Sequence, residues 1–281
     1  MAIVTASTAR TFIKAARLPK PLARARAMRG PTDAPVELKD TDAQVLVVGS
    51  SLVAAADQVP AQTREDLVNC TLFAQLSASG SVADQSDVSA WYGEYFQALS
   101  VLGWAQSDRR FEEFQSSGTH LEAHKSIIKV LAALLGPQAA VVTLVTQTLE
   151  ALQSMDENNP WITLFQREST TVKSARFQVA TAQKTAGGLI EIALVAFDLH
   201  SKNTLTQVLF FKFKKNSTSL KYAQGNATIY EAVLAQNRQQ IADRLTAYRT
   251  SYIAEVKFPP RPGRAVRGKP SIRRRSSKKS A

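Results

Sequence analysis

The chain has 281 residues, 44% of them hydrophobic, and a formal charge of +12, enough apolar content for the core of one domain of about 200 to 250 residues with tails. Of the 35 Lys and Arg, seven lie in residues 1–32 and ten in residues 257–281, two segments without any such density of acids. The remaining 18 face 23 Asp and Glu over residues 33–256, a net of −5, so the basicity belongs to the ends. A single cysteine excludes an intramolecular disulfide framework, and nothing in the first thirty residues supplies the apolar segment of a secretory signal.

Residues 1–42 are read as a basic, disordered arm and linker. Arg10, Lys14 and Arg17 recur at helical spacing with Phe12 and Ile13 set apart from them, and the segment up to Gly30 lacks acids, so its composition also fits a cleaved organellar transit segment. Residues 43–256 are expected to form one α+β domain, with helices over 43–168, a sheet over 173–228 and one helix over 229–253. Residues 44–52 read as a strand running into a turn at Gly49. No Gly-x-Gly-x-x-Gly or Gly-Lys-Ser/Thr follows, so that glycine marks no phosphate loop.

Residues 63–77 read as a mostly buried helix, with Thr63 and Asp66 spaced as a near capping box. It contains Cys70, read as a small buried residue with acylation as its functional alternative. Residues 86–105 carry Trp91, Tyr92, Tyr95, Phe96, Leu99 and Leu102 at helical spacing. No basic residue stands among these aromatics, which favours a core stripe over a base-stacking platform. Residues 111–117 read as a short strand.

Residues 121–135 and 139–155 read as an αα-hairpin closed by Gly136 and Pro137. Residues 130–149 hold no charge, yet the Gly-Pro break and the Gln and Thr residues around it argue against one membrane-crossing helix. His120 and His124 are four apart without a third ligand, so neither a metal nor a cofactor is expected. Ser126 and Lys129 match Ser-x-x-Lys without the companion motifs of penicillin-recognising enzymes. With no nucleophile or phosphate-loop motif, a non-enzymatic protein is expected.

From residue 173 the period becomes two. Residues 174–183 alternate, 189–200 are apolar on both faces, and 205–214 and 220–230 alternate in turn, separated by short connections rich in turn formers. The expectation is a four-stranded antiparallel meander, covered on one face by the helical N-terminal half and closed by a long helix with Val233, Ile241, Leu245, Tyr248 and Tyr252 along one stripe.

The last segment, 257–281, holds Pro259, Pro260, Pro262 and Pro270 and too few apolar residues to fold. Its Arg261, Arg264, Arg267, Lys269, Arg273, Arg274, Arg275, Lys278 and Lys279 are the candidate polyanion-binding residues. Two partners fit them: an anionic membrane surface or a nucleic acid. Helices wrapped about an antiparallel sheet resemble the layout of some cytolytic α/β toxins, and that resemblance implies a membrane-directed, toxin-like or virulence-like protein. The nucleic-acid alternative would use the same tails on an acidic scaffold. The acidic body and its unaccompanied aromatics favour the membrane.

Overall fold

A single sheet separates two apolar clusters, and each cluster is roofed by helices. The computed structural model describes residues 4–21, 36–39, 42–115, 120–153, 159–205, 208–210 and 212–256. Within them lie nine α-helices and a mixed eight-stranded sheet. The strands β1 (Gln44–Val48), β2 (Ser51–Ala55), β3 (Trp104–Gln106), β6 (Ser174–Lys184), β7 (Ile190–Ser201), β9 (Thr218–Ile229) and β10 (Ile253–Glu255) take the order β10-β1-β2-β6-β7-β9-β3, and β4 (Glu112–Glu113) pairs with β9. One face carries α2 (Ala61–Ser81) and α3 (Val88–Val101), and the other carries α4 (Ala123–Leu135), α5 (Ala140–Gln153) and α6 (Pro160–Ser169).

The strands are apolar on both faces because both are covered. Along β1, Val45 and Val47 join the cluster under α4 to α6 while Leu46 and Val48 join the opposite one. In β7, Val195, Phe197 and Leu199 face α4, and Leu194 and Ala196 face α2 and α3. The aromatic stripe of α3 lies in the core, with Trp91, Tyr92 and Tyr95 buried and Tyr92 donating its hydroxyl to Phe177 O and Phe197 O at 3.0 and 2.7 Å. Gly49 allows the tight β1–β2 turn at φ 56, and Ser50 N donates to Gln75 Oε1 at 2.8 Å.

Several expectations are corrected. The meander has three strands, not four: β7 pairs directly with β9 from Ile192↔Ala227 to Ser201↔Thr218. Among the described residues of the segment expected as the third strand, β8 (Lys212–Lys214) is the extended part, and it pairs with β5 (His120–Glu122) outside the main sheet. Leu205, Val208 and Leu209 are all buried, and the consecutive pair Val208 and Leu209 departs from the alternation of a half-buried strand. The sheet also gains β2, which runs parallel to β6 from Ser51↔Gln178 to Ala55↔Ala182. That pairing joins segments more than a hundred residues apart, and no local pattern encodes it.

The long closing helix is broken into α7 (Glu231–Leu234), α8 (Arg238–Leu245) and α9 (Arg249–Tyr252). At the first break the Asn237 amide donates to Val233 O at 2.8 Å and Ala6 O at 3.2 Å, competing with the helix for its own carbonyls. The expected start of α2 also moves. Pro60 stands at its N-cap without a side-chain cap, and Asp66 accepts two hydrogen bonds from Arg238 at 2.8 Å instead of closing a capping box.

The arm expected to be disordered contains α1 (Ala6–Ala15), capped where Thr5 Oγ1 accepts from Thr8 N at 3.2 Å. Ile13 is buried, Phe12 meets Phe73 edge-on at 6.3 Å, and Arg244 donates to Lys14 O and Ala16 O. The cations Arg10, Lys14, Arg17 and Lys20 are all exposed. Composition missed this helix because two large apolar side chains, Phe12 and Ile13, anchor it within a segment that holds seven cations. The chain after α1 crosses α2 at Gly80, where a Cβ would collide with Arg17 O. Gly80→Ala is therefore expected to lift residues 16–19 off α2 and cost about 1 to 3 kcal/mol. Urea unfolding would read the loss, and faster trypsin cleavage at Arg17 would locate it.

Candidate functional site

The α4–α5 hairpin packs on the sheet through an apolar contact surface, and residues 130–149 within it hold no charge. From α4, Ile127, Val130 and Leu131 are buried, and from α5, Val141, Val142, Val145 and Leu149. They rest on Val47, Leu52, Ala54, Val179 and Val195. Lys125, Lys129 and Glu150 bracket the uncharged stretch and stand exposed, far along the chain from the Gly136 bend. Gly136 takes φ 86 there, and Ala133, Pro137, Gln138, Ala140 and Thr143 are exposed without a charge among them.

Polar contacts at two places, among the described residues, hold the hairpin to its surroundings. Near its bend, Val141 N donates to Gln183 Oε1 at 3.3 Å, and Gln183 Nε2 donates to Glu191 Oε2 at 2.8 Å. At its base, His124 N donates to Leu209 O at 3.1 Å and His124 Nδ1 lies 3.0 Å from the same oxygen. Glu122 accepts from Lys125 Nζ at 3.0 Å. The apolar packing among the described residues of the interface is worth about 1.5 to 3 kcal/mol for each large buried side chain in water. Transfer of the same side chains to lipid keeps that gain, so opening onto a bilayer costs far less than opening into water. At 13 and 14 residues, the two helices are about 20 Å long, shorter than the hydrocarbon core. No helix among the described residues is long and apolar enough to cross a membrane.

The sequence candidates fare differently. Arg261, Arg264, Arg267, Lys269, Arg273, Arg274, Arg275, Lys278 and Lys279 lie outside the described residues. Cys70 is 0% exposed on α2, and burial pushes its thiol well up, so acylation there would need the α2–α3 layer to open. His120 and His124 do not share a helix face: His120 is in β5 and exposed, His124 is in α4 and buried. Ser126 donates to Glu122 O at 3.1 Å and Lys129 lies over the Phe114 ring at 5.4 Å, so each side chain is engaged with another partner. No group of three or more His, Cys, Asp and Glu among the described residues is placed to hold a metal.

Two polar cavities lie on the opposite face. One, about 150 Å³, runs between α2 and α8 beside the Asp66–Arg238 pair. The other, about 60 Å³, is lined by Ser50, Ser79, Glu168, Arg176 and Tyr252, with the Arg176 guanidinium 4.5 Å above the Trp91 ring. Both are small beside the roughly 300 to 1,000 Å³ of ordinary ligand sites.

Sequence reading missed the hairpin's contact at Gln183, which looks like one more polar strand residue, and the β1–β2 floor beneath α5. It also missed Asp198, whose carboxyl is raised by burial against the opposing pull of His200 and Lys221. A raised folded value means that stability from this group is present at low pH and lost as pH rises through that value. Asp198→Asn should thus raise the melting temperature at pH 7 and flatten its rise toward pH 4.5, as calorimetry at the two pH values would show. Asp108 acts with the opposite sign: hydrogen bonds from Arg110 and its backbone lower it to about 2, so its contribution persists until pH falls toward that value.

No family model matches the sequence, and no curated protein matches it. Among solved structures, similarity is found to the Evf virulence factor, with TM-score 0.35 and 8% identity over 75% of this chain and 86% of that one. A delta-endotoxin gives TM-score 0.37 and 11% identity over 74% and 91%. The activated Cyt2Ba monomer from Bacillus thuringiensis subsp. israelensis gives 0.30 and 12% over 49% and 79%. The weak structural neighbours are thus a virulence factor and two toxins, at scores too low to define a common fold.

Proposed function

We propose that this is a non-enzymatic, membrane-associating protein that docks on anionic lipid through its basic termini and then engages the bilayer with the α4–α5 hairpin, in a toxin-like or virulence-like manner. The observation that supports this reading is the hairpin's uncharged stretch, residues 130–149, packed through apolar side chains on an apolar sheet face. Opening it would also bare β6, β7 and β9, of 11, 12 and 12 residues, long enough by the measure of about 9 to 11 residues for a tilted strand in a bilayer. The exposed cations of α1 and the ten of the C-terminal segment supply attraction to lipid phosphate.

Nucleic acid is the weaker reading. Its stacking platform would have to be the α3 aromatics, and these are buried. The test is co-sedimentation of the full chain with phosphatidylserine-containing and with purely zwitterionic vesicles at low salt, beside a gel-shift assay with DNA and RNA. Retention on the anionic vesicles alone is expected. A nucleic-acid shift without vesicle retention would reverse the assignment.

A further inference from the structure

The two ends of the sheet differ in what they expose. β6 runs into the turn at 185–189, where Gly188 takes φ 82 and Leu189, 74% exposed, accepts a hydrogen bond from Thr185 N at 2.8 Å. β9 lies antiparallel to β7 and finishes at the same end, followed by Tyr230, 58% exposed. The Val141–Gln183 hydrogen bond brings the hairpin bend there as well. β10 is antiparallel to β1 and Val256 N donates to Val45 O at 3.0 Å, so the chain leaves the sheet heading for this end, and the ten-cation segment follows in sequence. The other end holds Val172, 69% exposed, near the start of β6.

Building on the membrane reading above, we propose that the protein meets an anionic bilayer end-on, with the 185–189 turn, the hairpin bend and Tyr230 as its leading rim. Leucine partitions into the hydrocarbon boundary and tyrosine into the headgroup layer, while exposed Lys184 can extend its ammonium to phosphate. Of the acids at this end, Glu191 accepts from Gln183, Glu231 pairs with Arg238 at 2.7 Å and Asp57 accepts from Ala43 N at 2.6 Å, while Glu37 and Asp42 stand exposed beside the start of β1 and are outnumbered by the ten cations that follow β10. In this orientation the hairpin presents its uncharged bend first and its charged base last. Opening then needs no charge to cross the interface ahead of the apolar residues.

The test places an environment-sensitive fluorophore on Leu189→Cys or on Val172→Cys in the full chain. Both positions are exposed, and the one native thiol is buried. With phosphatidylserine-containing vesicles, the label at 189 should brighten at least about twofold and be quenched by brominated lipid, and the label at 172 should stay silent. Leu189→Glu should weaken retention by about tenfold and Val172→Glu should leave it unchanged. Retention with a silent label at 189, or an equal response at 172, would overturn the end-on orientation alone. Failure of every variant to bind vesicles would overturn both this orientation and the membrane reading.

Discussion

Tethering the hairpin to the sheet is expected to separate docking from bilayer damage. Ala140 and Lys184 are exposed neighbours of the hydrogen-bonded pair Val141 and Gln183, so cysteines at both positions can be bridged by a short bis-maleimide without competition from buried Cys70. A bridged hairpin cannot leave Val179 and Val195, and release of an encapsulated dye should fall at least about tenfold because only the closed state remains populated. Retention on anionic vesicles should be preserved, since the basic ends are untouched. A cleavable bridge should restore release on cleavage, which separates the tether from the loss of the Lys184 charge. Undiminished release from fully bridged protein would show that the hairpin stays in place.

Deleting residues 257–281 should have the opposite effect. Each cation near an anionic surface contributes about 1 kcal/mol, and ten are removed with no acid. Even if a minority touch lipid, retention at low salt should fall by about a thousandfold, with the exposed cations of α1 providing what remains. For the intact chain the attraction should weaken steeply with salt, because the screening length falls from about 10 Å at 0.1 M to about 3 Å at 1 M. Binding of the deleted chain that matched the intact one would assign docking to the body.

Legibility in the sequence followed the range of the contacts. The helices α2 to α5 and the strands β6 and β7 carry their period in neighbouring residues, because each buries a repeating stripe or both faces. The uncharged character of the hairpin is equally local. What escaped depends on distant partners. The parallel pairing of β2 with β6, the docking of α1 through Ile13 and Phe12, and the break at Asn237, whose amide reaches Ala6 O, all require the fold to be known first. The segment around Leu205 to Leu209 misled for a related reason. Its apolar residues fill a space beside α4, where His124 meets Leu209 O, and they do not line one face of a strand. For the candidate site, the basic segments were countable from the chain. The exposed rim at Leu189 and Tyr230 was not, since those residues reach the same end of the sheet only through the antiparallel β7–β9 register.

The most direct measurement is a salt wash of protein already bound to anionic vesicles. Protein held by its basic ends and by an inserted hairpin should bind at low salt and stay with the vesicles when they are transferred to 1 M salt, whereas the bridged variant should wash off. Complete release of the unbridged protein at high salt would contradict insertion, and failure to bind at low salt would contradict membrane association altogether.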